Sequence, residues 1–322
     1  MNFNLSDAEV LITGGTGSLG RTLTKLLKRT YNPRGIRIYS RDELKQWEMK
    51  QELQAEGLDR NVSFLIGDVR DEKRLNRALA GVNLVFNCAA MKQVPACEYN
   101  PEEPIKTNIM GAINLLNAAI DNRVSLVMHV STDKAVYPVN IYGATKTVVE
   151  KYLIHGNVYS SHYMTRFSCC RYGNVLGSRG SIIPLFKKQR ESGIITITHP
   201  DMTRFWIKLH DVAEFIIQSA QETIGAEIFI PRMPSMKITD LADVIAPECE
   251  QKFIGIRQGE KLHECLIAEE ESTHTLRNDN RYIIRPTDAE IHQNRFMYTS
   301  LNNDLLLSKE QLRTMLEGGL YD

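Results

Sequence analysis

Short runs rich in Val, Ile and Leu recur through the first half of the chain, at residues 10–13, 36–39, 62–66, 84–87, 126–130 and 165–169. Between them lie longer stretches whose apolar positions repeat three and four residues apart, at 19–28, 43–55, 71–79, 102–121 and 142–154. An apolar run that does not alternate with polar residues suits a strand covered on both faces, and strands alternating with helices connect in parallel. The pattern predicts an α/β, Rossmann-type doubly wound parallel sheet.

After Cys170 the rhythm breaks: RYGNVLGSRGSIIP is rich in Gly, Ser and Arg, and irregular segments follow. A helix at 211–221 and a strand at 227–230 bring the chain back to the sheet, so the smaller, substrate-binding lobe is expected to be discontinuous. The expected division is a dinucleotide-binding domain over 1–170 with 211–231 returning to it, a lobe over 171–210 and 232–290, and a tail over 291–322. In that tail LSKEQLRTMLEGGL reads as an amphipathic helix suited to packing or subunit contact, and a homo-oligomer is expected.

Composition narrows the function classes. Thirty-nine Lys and Arg balance 39 Asp and Glu, so the chain lacks the general basic field that non-specific nucleic-acid binding needs, and an anionic ligand must be held by local groups. Six Cys without a C-x-x-C pair, no zinc-type spacing, no basic leader and no run of eighteen apolar residues predict a cytoplasmic protein with reduced thiols, no metal and no membrane span.

The turn Thr13-Gly14-Gly15-Thr16-Gly17-Ser18-Leu19-Gly20 joins the first strand to the first helix. Gly14 would permit a tight turn, Gly17 a close approach to pyrophosphate and Gly20 close helix packing, with Thr16, Ser18 and Leu19 completing the cradle at a helix N-terminus. At the tip of the second strand Ser40 and Arg41 offer a hydroxyl and a guanidinium in place of an acid, which favours NADP over NAD; the alternative leaves Arg41 solvated and Asp42 capping the next helix. Asp68 and Val69 are expected beside adenine, and Ala89 and Ala90, in NCAA, beside the passing cofactor. Tyr142 and Lys146 stand one helical turn apart, where an ammonium could lower the phenol's pKa from its usual value of about 10.

TGGTGSLG, NCAA and YGATK together resemble the extended short-chain dehydrogenase/reductases. STDKAVYPVNIYGATK, AAMKQVPACEYNPEEPIKTNIMGA, RYGNVLGSRGSIIP, MTRFWI and RQGEKLHE resemble, more narrowly, the configuration-inverting UDP-N-acetylglucosamine 4,6-dehydratases that open the route to pseudaminic acid. Tyr137, where Asn is common, and His199, before MTRFW, depart from the pattern.

The resemblance implies that Tyr142, aided by Thr132 and Lys146, takes the C4 hydroxyl proton of the sugar while hydride passes to NADP. It gives Asp133 and Lys134 the proton transfers at C5 and C6, which an ordinary reductase does not need. To work as a base Lys134 would need its pKa lowered by desolvation, and the backbone must leave strand geometry near Thr132 for both side chains to face one site. The resemblance also places Lys92 and Asn108 near cofactor and active site, Lys92 also toward substrate, and Asn174 at the diphosphate or sugar. Arg179, Arg204 and Arg257 are candidates for diphosphate and uridine, and Glu260 for the ribose hydroxyls. A retaining dehydratase, a sugar-nucleotide 4-epimerase and a non-catalytic NADP-sensing scaffold remain as alternatives.

Overall fold

The computed structural model describes residues 4–162, 164–177, 181–278, 280–286 and 295–317. The chain forms two compact units, one comprising Met1–Ser131, Ile141–Cys170 and Ala213–Phe229, the other Thr132–Asn140, Arg171–Val212 and Ile230–Asp322.

In the first unit strands β1 (Glu9–Thr13), β2 (Gly35–Ser40), β3 (Val62–Ile66), β4 (Leu84–Asn87), β5 (Leu126–Val130) and β6 (Arg166–Cys170) lie in the order β6-β5-β4-β1-β2-β3. Every neighbouring pair is parallel, and Ile228 and Phe229 add parallel pairing on the outer side of β6. The strand order reverses between β1 and β4, and ligands of doubly wound sheets bind in the crevice that such a reversal opens. Helices α1 (Ser18–Leu26), α2 (Glu43–Ala55) and α3 (Glu72–Leu79) follow β1, β2 and β3 in turn. Burial of β1, β4 and β5 explains their unbroken apolar sequences: Val10, Leu11, Ile12, Leu84, Val85, Phe86, Leu126, Val127 and Met128 are fully enclosed.

The stretch expected as one helix over 102–121 is interrupted. After α4 (Val94–Tyr99), the chain runs through α5 (Glu102–Pro104), a widened turn over Ile105–Met110 and α6 (Gly111–Asp121), and the Gly111 N–H reaches back to the Lys106 carbonyl. Gly111 suits this bend because a Cβ there would stand 2.6 Å from Val69 Cγ2. Helix α7 (Ile141–Tyr159) runs beyond its expected end and buries Tyr142, Thr145, Lys146, Val149 and Leu153, a stripe at helical spacing.

The second unit is built on a short sheet, with Asn174–Val175 parallel and Ser235–Lys237 antiparallel to Thr203–Ile207. Ile194–Ile197 pairs with Glu250–Phe253, Cys265–Ile267 with Tyr298–Thr299, and Thr275–Arg277 with Arg281–Ile284. Its core gathers Trp206, Phe186, Ile195, Ile197, Leu241 and Leu312. Leu312 belongs to the C-terminal helix Lys309–Glu317, so that helix is part of the unit's core rather than a separate tail. Residues 132–140 differ likewise from the expected division: Asp133 N–H donates to the Tyr172 carbonyl and Val136 packs on Cys265 and Ala268, contacts that assign the segment to the second unit.

Gly20 is where backbone meets backbone: a Cβ there would lie 2.5 Å from both Cα and the carbonyl oxygen of Gly15. Gly20→Ala should therefore cost about 1–3 kcal/mol, the usual range for overpacking, measured as a lowered urea midpoint. An unchanged midpoint would mean that the turn moves freely away from α1.

Candidate active site

The glycine turn has the local geometry its sequence implies. Gly14 adopts φ +62°, and a Cβ on it would fall 2.9 Å from Ala89 Cα. Gly14 N–H donates to the Tyr39 carbonyl, Gly17 N–H to the Gly14 carbonyl, and Gly17 precedes α1 without a side-chain cap. The first N–H groups of α1, from Ser18 and Leu19 onward, are therefore free of side-chain capping, with no acidic residue in the first turn, and an anion fits there. Thr16 is buried within the turn. These features fit the pyrophosphate of a dinucleotide.

At the tip of β2, Ser40 is buried and its Oγ accepts from Gln46 Nε2 at 3.0 Å. Arg41 extends outward and meets Asp68 at 3.6 Å, while Asp42 caps α2 by accepting from Lys45 N–H. Asp68 also takes two hydrogen bonds from Arg70; burial opposes its charge, but the hydrogen bonds from Arg70 prevail and hold the carboxyl below its ordinary pKa. Val69 lies in the core among Leu75, Leu79 and Ala112. Lys92 is exposed between β4 and α4. Asn108 is buried and its amide is fully engaged: Oδ1 accepts from Met91 N–H at 2.8 Å, and Nδ2 donates to the Met91 carbonyl and to Thr145 Oγ1. Thr145 in turn donates to the Tyr142 carbonyl at 2.7 Å. Asn108 thus ties the segment after β4 to the first turn of α7, where Tyr142 sits.

Lys146 is the most constrained group of the first unit. Its Nζ lies 2.5 Å from the Val130 carbonyl and 2.9 Å from His129 Nε2, and it is 3% exposed. His129 Nδ1 is 2.9 Å from Asn87 Nδ2, Asn87 Oδ1 accepts the Thr13 hydroxyl at 2.7 Å, and Thr13 accepts from Ala89 N–H. With Asn87 donating to Nδ1, a neutral imidazole carries its proton on Nε2 and directs it at Lys146, an arrangement an amine accepts and an ammonium opposes. Burial pushes the Lys146 pKa down to about 8, and burial with the Lys146 charge pushes His129 well below its usual value.

The second unit supplies a different cluster. Thr132 takes an extended conformation and its Oγ1 accepts from Lys134 N–H, closing the tight turn Asp133–Ala135. The departure from strand geometry expected near Thr132 therefore occurs. Asp133 is fully buried; its Oδ1 accepts from Thr132 Oγ1 and Lys134 Nζ, each at 3.0 Å, and its Oδ2 has no hydrogen-bond partner among the described residues. Burial pushes the Asp133 carboxyl up, toward the neutral acid. Lys134 behaves differently from the expectation of a desolvated amine. Burial opposes its charge, but Asp133 at 3.0 Å and Glu264 at 3.4 Å outweigh it and raise the pKa above the ordinary lysine value.

Arg204 is buried and donates to the carbonyls of Thr203, Lys261 and Leu262, which occupies the guanidinium in holding backbone together. Arg257 is exposed and stands 3.9 Å from Glu260, whose Oε2 is buried without a hydrogen-bond partner among the described residues. Asn174 begins a strand opposite Trp206, and Arg179 lies outside the described residues. Two residues with evident roles were not among the sequence candidates. His129 had a signal, a lone polar residue inside the apolar run LVMHV; Glu264 stood within the quoted motif RQGEKLHE without a role.

Comparison with known proteins adds the following. The model of a family described as polysaccharide biosynthesis protein matches residues 10–286. The chain is 47% identical over 322 residues to the UDP-N-acetylglucosamine 4,6-dehydratase (inverting) of Campylobacter jejuni, covering 94% of this chain and 95% of that one. It is 43% identical over 273 residues to a UDP-glucose 4-epimerase of Rickettsia conorii, covering 82% and 79%. Among solved structures, Pen from Bacillus thuringiensis superposes with a TM-score of 0.92 at 35% identity over 99% of both chains. DesIV, a dTDP-glucose 4,6-dehydratase from Streptomyces venezuelae with NAD bound, gives 0.69 at 21% identity over 79% of this chain and 86% of its own, which shows a common fold.

The depressed pKa of Lys146 has a measurable sign. Between about 8 and the unfolded value near 10.5 the unfolded chain binds the extra proton, so stability rises with pH through that window. Relative to Lys146→Met, the wild type should gain roughly 1–3 kcal/mol from pH 7.5 to pH 10 in urea titrations. A difference that is flat or falls with pH would contradict a buried, low-pKa Lys146.

Proposed function

The chain belongs to the polysaccharide biosynthesis protein family, within the extended short-chain dehydrogenase/reductases, and on that footing we propose that it dehydrates UDP-N-acetylglucosamine with inversion at C5. The product of this reading is a UDP-2-acetamido-2,6-dideoxy-β-L-arabino-hex-4-ulose, with NADP as the recycled cofactor. The observation that carries it is the pair of a buried Asp133 and a half-buried Lys134, because exchange of configuration at C4 alone needs no second acid and base.

The nicotinamide supplies, when bound, a reversible two-electron acceptor. Gly14, Gly17 and the uncapped start of α1 would hold its pyrophosphate, and Arg41 suits a 2'-phosphate. Tyr142 takes the proton of the C4 hydroxyl as that carbon becomes a ketone, and Thr132 and Lys146 support the phenolate. The ketone acidifies the C5 hydrogen and so permits loss of the C6 hydroxyl. Asp133, whose burial favours the neutral carboxyl, suits the group that gives its proton to this hydroxyl, so that it departs as water; the carboxylate so formed takes the C5 hydrogen as a proton. The hydride taken from C4 would return to C6, which completes the methyl group. Lys134, as an ammonium, suits delivery of a proton to C5 on the face opposite the one that lost it, which inverts the centre. Asn174, Arg257 and Glu260, with Arg179 and Lys92, are the residues we assign to the nucleotide sugar; Arg204, whose guanidinium is taken up by backbone carbonyls and Glu264, is not among them. A second reading, 4-epimerase, draws support from the Rickettsia relatives.

Mass spectrometry of the product formed from UDP-N-acetylglucosamine without added reductant separates the two. Dehydration gives a product lighter by one water, with no stoichiometric accumulation of reduced cofactor; an isomer of unchanged mass would overturn the reading. Tyr142→Phe should slow turnover by roughly two to four orders of magnitude with little change in UDP affinity. Near-normal turnover of that variant would remove Tyr142 from the role.

A further inference from the structure

Glu264 precedes the strand Cys265–Ile267 and is buried, with its side chain 3% exposed. A carboxylate so enclosed is costly unless cations compensate it, and three do. Oε1 lies 3.4 Å from Lys134 Nζ and 3.7 Å from Arg204 Nε, and Oε2 lies 3.8 Å from Lys261 Nζ. Neither Arg204 nor Lys261 is free to follow Lys134 elsewhere. Arg204 is bonded to three backbone carbonyls, and Lys261 Nζ donates to the Val136 carbonyl at 2.5 Å. Glu264 is therefore fixed by its own backbone and by two immobilised cations, and presents its remaining charge to Lys134. Its N–H is itself held by Ser300 Oγ at 2.9 Å.

Lys134 needs such a partner. It sits in a three-residue turn closed by the Thr132 hydroxyl, and its nearest carboxylate, Asp133, is the adjacent residue. The charged groups that face it are Asp133 from its own turn, Glu264 beside the strand Cys265–Ile267, and Arg204 from the strand Thr203–Ile207, with Lys261 behind Glu264. If Asp133 carries a proton, its attraction for the ammonium is lost, and Glu264 is the acid left in contact with Lys134.

We propose that Glu264 is a positioning residue that anchors Lys134 and serves as the fixed counter-charge of its ammonium. Glu264 touches no reacting atom in this account; it acts through Lys134. The contact stands whatever reaction the protein performs, and only its catalytic consequence rests on the reading of Lys134 as the acid at C5. Protonation of the amine before each turnover then depends on Glu264, while Asp133 is free to gain and lose its own proton.

Amine pKa and turnover can be measured separately. Brief pulses of acetic anhydride over a pH series, read by peptide mass spectrometry, give the pH at which Lys134 reaches half its maximal acylation rate, with exposed Lys50 as internal reference. In the intact wild-type protein that midpoint should lie above the ordinary lysine value of about 10.4. In Glu264→Gln it should fall by at least one pH unit, a tenfold or greater rise in the amine fraction at a fixed pH below the midpoint. Glu264→Asp should recover much of the shift because it restores the charge. The alkaline limb of kcat for Glu264→Gln should move to lower pH in parallel, with KM little changed. An unshifted Lys134 midpoint in Glu264→Gln overturns the proposal, and so does a wild-type midpoint below that of Lys50 if the variant fails to fold. A shifted midpoint with an unaltered kcat profile supports the counter-charge and instead removes Lys134 from the chemistry.

Discussion

Polar and ionisable groups gathered at and just beyond the carboxyl end of β5 must each be given fixed partners, and the arrangement of the site follows from how that is done. Within six residues the chain places His129, Thr132, Asp133 and Lys134, three of them buried polar or charged side chains. Burying an unpaired charge costs several kcal/mol, so each such group needs fixed partners. In the first unit the response is a chain of neutral hydrogen bonds, Ala89 to Thr13 to Asn87 to His129, ending on a lysine whose pKa falls to about 8. In the second it is an ionic lattice, in which Lys134 and Lys261 share Glu264 with Arg204, and Arg204 and Lys261 are pinned by carbonyls.

Two lysines, Lys146 buried and Lys134 half-buried, are thereby poised in opposite senses. Among the described residues Lys146 has no salt bridge to a carboxylate, and desolvation outweighs the attraction of Glu150; Lys134 meets two carboxylates, and attraction dominates. Burial lowers both, and the sign of the net shift is set by whether carboxylates stand beside the amine. A lysine that readily becomes neutral suits a relay with a phenol, and one that stays charged suits delivery of a proton to carbon.

Much of the fold was legible because parallel strands covered on both faces write their burial directly into composition. LVMHV and LVFN needed only their apolar runs, and the Gly14 turn only its position between strand and helix. The widened turn inside the helix over 102–121 was not legible, because the apolar pattern there is that of an ordinary helix; Gly111, where a Cβ would stand 2.6 Å from Val69 Cγ2, reflects a close approach between distant parts of the sequence. At the site, the spacing of Tyr142 and Lys146 followed from local rules, whereas the turn at Asp133–Ala135 was demanded by the roles the resemblance implies and is visible only in the structure. The protonation of Lys134 did not, since a desolvated lysine and a paired one have the same sequence, and Glu264 lies 130 positions away in number yet at 3.4 Å in space. Asn108 and Arg204 show the same limit: each was expected to face a ligand, and each has its donors taken by backbone carbonyls or neighbouring side chains.

On the proposed reading, this pair of lysines and one buried carboxyl carry an elimination with inversion rather than a simple exchange at C4. Proton NMR of the product made from UDP-N-acetylglucosamine in heavy water separates the two. A methyl group at C6, deuterium at C5 and the inverted C5 configuration are expected in one molecule. An intact C6 hydroxymethyl group with protium at C5, or a methyl product of retained configuration, would rule the elimination with inversion out.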